Sequence, residues 1–432
     1  MQPNLSFDQA PPLSVPFRFF LAAPVFGILA GLLMALRAPE VLASRWSMEA
    51  LAVTHLLTAG FMLQAMTGAM LQFIPVATGG NVWRPGLVAG MVQPLILVGA
   101  LLLCGGFLWA EPSWFMAAAI LLSGGVGILA TVLLIALWRS PGIGANLSAL
   151  RVAVSGLVIT VILGATLATG LSRGFALPYA ALTNLHMGWG LGVWALVLLA
   201  GVSYYVVPMF QLTPAYPPWL TRILAPALIV LALLWLGVTL LSDASATPLQ
   251  LGMLLVATAF AVATLTIQYR RRRRVPDVTL TLFRFAMSAM IAAAMVGSVS
   301  LLGSQEITNA AATPLFGVLC FTGVFVSAIN GMLYKIVPFA NWLHLQRIAT
   351  PRLKLPNMNQ MIAPRAMAGQ SRLHMASVML MIIGVSFPDL ARVAGVLFAV
   401  SCAWLGWNLI SALRTYTDFR DQIRASEACR EP

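Results

Sequence analysis

GAMLQFIP (68–75), GVSYYVVP (201–208) and GMLYKIVP (331–338) decide how this sequence is read. Each string sets a glycine seven residues ahead of a proline, and the prolines recur at intervals of 133 and 130 residues. A second series keeps the same interval. Arg18, Arg151 and Arg284 lie 133 residues apart, and each is followed thirteen positions later by a glycine: Gly31, Gly164 and Gly297. Self-similarity at a fixed period sets architecture before any local motif is considered.

Outward from these strings the chain is almost continuously apolar. Of its 432 residues 60% are hydrophobic and 9% charged, with mean hydropathy +0.91. So little polar surface cannot solvate a globule of this size, so the solvent is a lipid bilayer. Apolar runs fall near 17–37, 49–77, 85–109, 113–138, 148–171, 183–210, 219–241, 248–268, 281–303, 313–340, 373–387 and 389–413. Most can cross a hydrocarbon core of about 30 Å. The expected fold is an all-α polytopic membrane protein with about twelve transmembrane helices in three parallel four-helix units, 14–140, 146–270 and 278–414. The third carries a basic loop at 341–372, and a cytoplasmic tail follows at 415–432. Four helices per unit is an even number, so the units insert in one orientation, unlike inverted-repeat transporters. The glycines read as close helix approaches, the prolines as helix ends or kinks, and the arginines as snorkelling anchors.

The N-terminal MQPNLSFDQAPPLSVPFR lacks a basic n-region and a cleavage site, so the first apolar run is expected to be retained. Arg270 to Arg274 follow the eighth run, and Arg347, Arg352, Lys354, Arg365 and Arg372 follow the tenth. The positive-inside rule then puts both termini in the cytoplasm of a bacterium, with the chain in the inner membrane. The opposite loops carry Glu40, Glu49, Glu111, Asp243, Glu306 and Asp389. The formal charge of +13 is accounted for by this bias and by anionic lipid, without a nucleic-acid partner. Cys104, Cys320, Cys402 and Cys429 lack metal-like spacing, and the first three read as packing within apolar helices.

No Asp or Glu falls mid-helix, which argues against proton pumps and proton-coupled carriers. Four histidines remain. His344 and His374 fall in the basic region around 341–374 and read as solvated, interfacial residues. His55 and His186 sit about one turn inside the outer ends of the second and sixth runs, 20 and 22 residues before Pro75 and Pro208. Both can project inward, as axial haem ligands, as copper ligands, or simply bonded to a helix carbonyl. Met62, Met66 and Met70 form a stripe that suits Cu(I) or ordinary packing. Gln72, Tyr204, Tyr205, Tyr334 and Lys335, near the cytoplasmic end, are secondary candidates.

Twelve helices in three arcs, with His55 and His186 on helices 2 and 6, resemble subunit I of the haem-copper oxidase superfamily. The segments THLLTAGFM (54–62), GAMLQFIP (68–75), NLHMGWG (184–190) and GVSYYVVPMFQLTP (201–214) resemble more closely its divergent, non-respiratory NnrS-like relatives. The resemblance implies a low-spin haem b ligand at His55 and a copper ligand at His186. It also marks departures: no His-Pro-Glu-Val-Tyr on helix 6, no His-His pair on helix 7 and no histidine on helix 10. A terminal oxidase or nitric oxide reductase is therefore not expected. The expected function is a non-respiratory haem- or copper-binding membrane protein, acting in nitric oxide or metal stress. The alternatives are a permease or channel on the same scaffold, and an assembly subunit of a larger membrane complex.

Overall fold

A computed structural model describes residues 9–272, 275, 277–303, 305–348 and 355–428. Arg273, Arg274, Arg352, Lys354 and Cys429 lie outside the described residues, as does the side chain of Glu306. The described chain is helical throughout: α1 (Ser14–Ala43), α2 (Met48–Thr78), α3 (Pro85–Trp109), α4 (Pro112–Trp138), α5 (Ala145–Arg173) and α6 (Tyr179–Gln211), then α7 (Pro218–Leu241), α8 (Thr247–Tyr269), α9 (Val278–Leu302), α10 (Gln305–Val318, Leu319–Val326 and Ser327–Ile348), α11 (Pro364–Gly384) and α12 (Pro388–Ala428). Eleven of these are long and apolar enough to cross a bilayer among the described residues, so the chain is a multi-pass membrane protein.

Helix ends follow local rules. Five helices open on proline, whose missing N–H costs nothing in the first turn, and α2 and α5 stop at Gly79 and Gly174, both at φ 69°. The recurrent prolines, expected to end or kink their helices, do not stop them. Pro75, Pro208 and Pro338 lie inside their helices, and α10 runs ten residues past Pro338. Neighbouring helices satisfy the backbone that a proline frees in a membrane, so the helix need not end there.

Three helices form the inside. In α2, α6 and α10 the most apolar stretch is 67%, 72% and 56% buried, against 28–50% in the other eight apolar spans. Each inner helix also carries a π-helical stretch: Leu56–Met62, Gly188–Leu196 and Leu319–Val326. These wide turns are a costly backbone form that collects at functional places.

Around the inner helices, α4 packs on α5, α8 on α9, and α12 on α1. Arg151 donates from Nη2 to the Leu137 carbonyl at 2.8 Å and lies over the Trp138 ring, while Arg284 donates to the Gln268 carbonyl at 3.1 Å and lies over Tyr269. Each thus holds the C-terminal end of the preceding helix, where a cation meets the negative end of the helix dipole. Among the described residues no α-helix precedes Arg18, which bonds its own Ser14 carbonyl. At the α12 to α1 contact a glycine does the work: a Cβ on Gly31 would stand 2.7 Å from both the Ala399 nitrogen and the Gly395 carbonyl oxygen.

The basic loop expected at 341–372 is mostly helix, and so is the expected tail from 415 to Ala428. Within and just after that stretch Gln370 and His374 are buried against other helices, while Arg347, Arg365 and Arg372 stay exposed. His374 is fully buried, with Nε2 2.8 Å from Ser327 Oγ, and Gln370 donates to Ser401 Oγ at 3.1 Å. His344, half-buried, donates from Nε2 to the Pro11 carbonyl at 3.1 Å.

Candidate functional site

The end of the bundle where α2 and α6 begin contains a cavity of about 750 Å³, walled mainly by α2, α5, α6, α9 and α10, with side chains from the remaining helices completing it. Its lining is overwhelmingly apolar, with side chains such as Met62, Phe107, Leu157, Trp235 and Phe325. His55 and His186 both face it.

Their rings lie 6.3 Å apart between centroids with 23° between planes. His55 Nδ1 is 2.8 Å from the Leu51 carbonyl one turn back, and His186 Nδ1 is 2.9 Å from the Thr160 carbonyl on α5. A carbonyl only accepts, so in both rings Nδ1 carries the proton and Nε2 keeps its lone pair. Neither Nε2 has a hydrogen bond among the described residues. Bonding one imidazole nitrogen to a backbone carbonyl fixes the ring and makes the other a better ligand.

The local sequence sets both rings. His55 is the residue immediately before the first π-helical stretch, and His186 lies two before the second. Phe107 of α3 stacks on His55 at 5.3 Å, backing it on one side. Gly164 leaves room for His186, since a Cβ there would lie 2.9 Å from the imidazole Cε1. The repeat glycine of α5 is thus a seat for a ring rather than a close helix approach.

At the rim, Arg45 of the α1–α2 link lines the same cavity and donates from Nη2 to Asn184 Oδ1 at 2.7 Å, while its guanidinium sits 4.3 Å above the Trp46 ring. Burial pulls the Arg45 pKa below its ordinary value.

The remaining candidates separate. Met62 lines the cavity, whereas Met66 and Met70 are buried in the core away from it. Gln72, Tyr204, Tyr205, Tyr334 and Lys335 lie outside the lining. Tyr334, expected at the interface, is buried, donating to Gln370 Oε1 and accepting from Asn408 Nδ2, both at 2.9 Å. Lys335, expected to snorkel, pairs with Asp277 at 3.3 Å. Tyr204 packs edge-on against Tyr216, and Tyr205 against Phe73.

No protein-family model matches this chain, and no curated protein matches it. Among the described residues no three of His, Cys, Asp and Glu converge to hold a metal ion. Two imidazoles face this apolar cavity, whose lining also holds Cys320 and several methionines, Met62 among them. Sequence reasoning located that pair but missed Arg45 and Asn184, although Asn184 stands only two residues before His186.

Proposed function

We propose that this protein binds a haem b in the cavity between α2 and α6, with His55 and His186 as its two axial ligands. The observation that carries the reading is the ring pair. At a metal–imidazole distance of about 2 Å, two axial nitrogens stand about 4 Å apart, and their ring centroids about 6 Å apart. The 6.3 Å between His55 and His186 matches, with both lone pairs unspent and both Nδ1 atoms anchored. A volume of about 750 Å³ with an apolar wall suits a flat, mostly apolar cofactor.

The chain's residues then do four things. His55 and His186 would hold the haem iron through Nε2; Leu51 and Thr160 hold their tautomers; Phe107 and Gly164 fix their tilt; and the surrounding apolar side chains exclude water. A haem so held supplies one-electron exchange. Copper has narrower support, because a third donor would come from thioethers such as Met62 or from Cys320, and among the described residues no three of His, Cys, Asp and Glu converge.

The finer scaffold belongs to the same proposal: three parallel four-helix units, 14–140, 146–270 and 278–414, in the manner of haem-copper oxidase subunit I. The matched arginines, prolines and π-helical stretches support it. By the resemblance to NnrS-like proteins, the haem serves nitric oxide or metal stress rather than respiration. The protein sits in a bacterial inner membrane with both termini cytoplasmic, the side favoured by the basic residues. Titration of the purified protein with haem tests the central claim. It should give a 1:1 low-spin, bis-imidazole spectrum, lost in both His55→Ala and His186→Ala. A preparation that stays colourless, or variants that keep the spectrum, would overturn the reading. Transport into vesicles that survives loss of both histidines would instead support the permease.

A further inference from the structure

The cavity that faces His55 and His186 has one charged group in its wall. Arg45 is the sole Lys, Arg, Asp or Glu among the lining residues. No ion pair joins it among the described residues. Such a placement is costly, because a desolvated cation needs a counter-charge. Asn184 takes one of its hydrogens, which leaves the rest of a five-donor fork. Trp46 lies under the guanidinium and holds its plane. Asn184 also presents its own amide N–H donors beside the arginine, two residues from His186 on the same helix.

We infer that Arg45 and Asn184 form a carboxylate-binding rim, so that the cavity takes an amphiphilic anion with its apolar body against the helices and its acid group at the guanidinium. The inference rests on the haem reading for the identity of that anion: a haem propionate. The chemistry is otherwise shared with a lipid-derived carboxylate, such as a long-chain fatty acid. A guanidinium matches a carboxylate in two parallel N–H···O bonds, so Lys at this position would keep the charge and lose the fork.

The test compares iron protoporphyrin IX with its dimethyl ester, titrated into the full-length protein in nanodiscs, in wild type, Arg45→Gln and Arg45→Lys. Thermal melting confirms that each variant is folded. Esterification and Arg45→Gln should each weaken binding about tenfold. Together they should weaken it no further than either alone, since both remove one pair; Arg45→Lys should fall between. The low-spin spectrum at saturation should be unchanged. If acid and ester bind wild type equally with that spectrum intact, or if the two effects add, the rim inference fails while the haem reading stands. If no low-spin complex forms at all, the haem reading fails, and cis-parinaric acid against its methyl ester reads the rim. Arg45-dependent preference for the acid then supports it, and equal binding overturns it.

Discussion

Two buried polar regions of this molecule differ in what their polar groups face. Around α10, α11 and α12 they face one another: Asn408 donates to Tyr334, Tyr334 to Gln370, and Gln370 to Ser401, in a chain with no intervening space. Around α2 and α6 they face a cavity, with His55 and His186 each bonded at Nδ1 and both rings in its lining, 6.3 Å apart. The histidines sharpen the contrast. The Ser327 hydroxyl gives its hydrogen to the Thr322 carbonyl, so His374 Nε2 must donate to it, whereas His55 and His186 carry their proton on Nδ1. A buried imidazole used as internal mortar and one held ready for a ligand are thus distinguished by which nitrogen is spent. Burial alone does not separate them.

Substitutions can break this contrast in graded steps. The largest effect is expected from Gly31→Ala, where the new Cβ meets backbone on α12 that cannot move aside. Stability should fall by about 3 kcal/mol, read as a lower unfolding midpoint. Gly164→Ala, thirteen residues after Arg151 as Gly31 is after Arg18, meets only the edge of the His186 ring. It should leave the midpoint nearly unchanged and weaken haem binding by about tenfold or more in a Soret titration. Equal behaviour of the two alanines would erase the distinction. Tyr334→Phe removes a hydroxyl with two partners and should cost about 1 to 2 kcal/mol with no change in ligand affinity. A shift in the haem spectrum there would mean that the two regions are coupled. The smallest effect belongs to Arg151→Gln, about 0.5 to 1 kcal/mol from the lost helix-end contact and ring stacking.

Most of the fold was legible because helix boundaries in a bilayer are set by length and by proline and glycine, all visible in the sequence. The apolar runs and the helices agree within a few residues from α2 to α9. Arg365, Gln370 and Arg372 give 364–372 the polarity of a loop, and His374 the look of a solvated residue, yet Gln370 and His374 find partners 31 and 47 residues away, and a local reading cannot see such pairs. The same limit hid the site's support. His55 and His186 stood out as ionisable residues within apolar runs, but Thr160, Gly164 and Phe107 look ordinary until the helices are assembled. The π-helical stretches have no sequence sign at all that we could identify, although all three contain glycine.

The arginine clasps have an implication for biogenesis. Arg151 and Arg284 fasten each new group of helices to the one just finished, so the chain can be assembled in the order in which it is made. The α12 to α1 seam has no such clasp, and its glycines can engage only when synthesis has reached residue 395. A nascent chain therefore leaves the Gly31 face of α1 without its partner until residues 395–399 have been made.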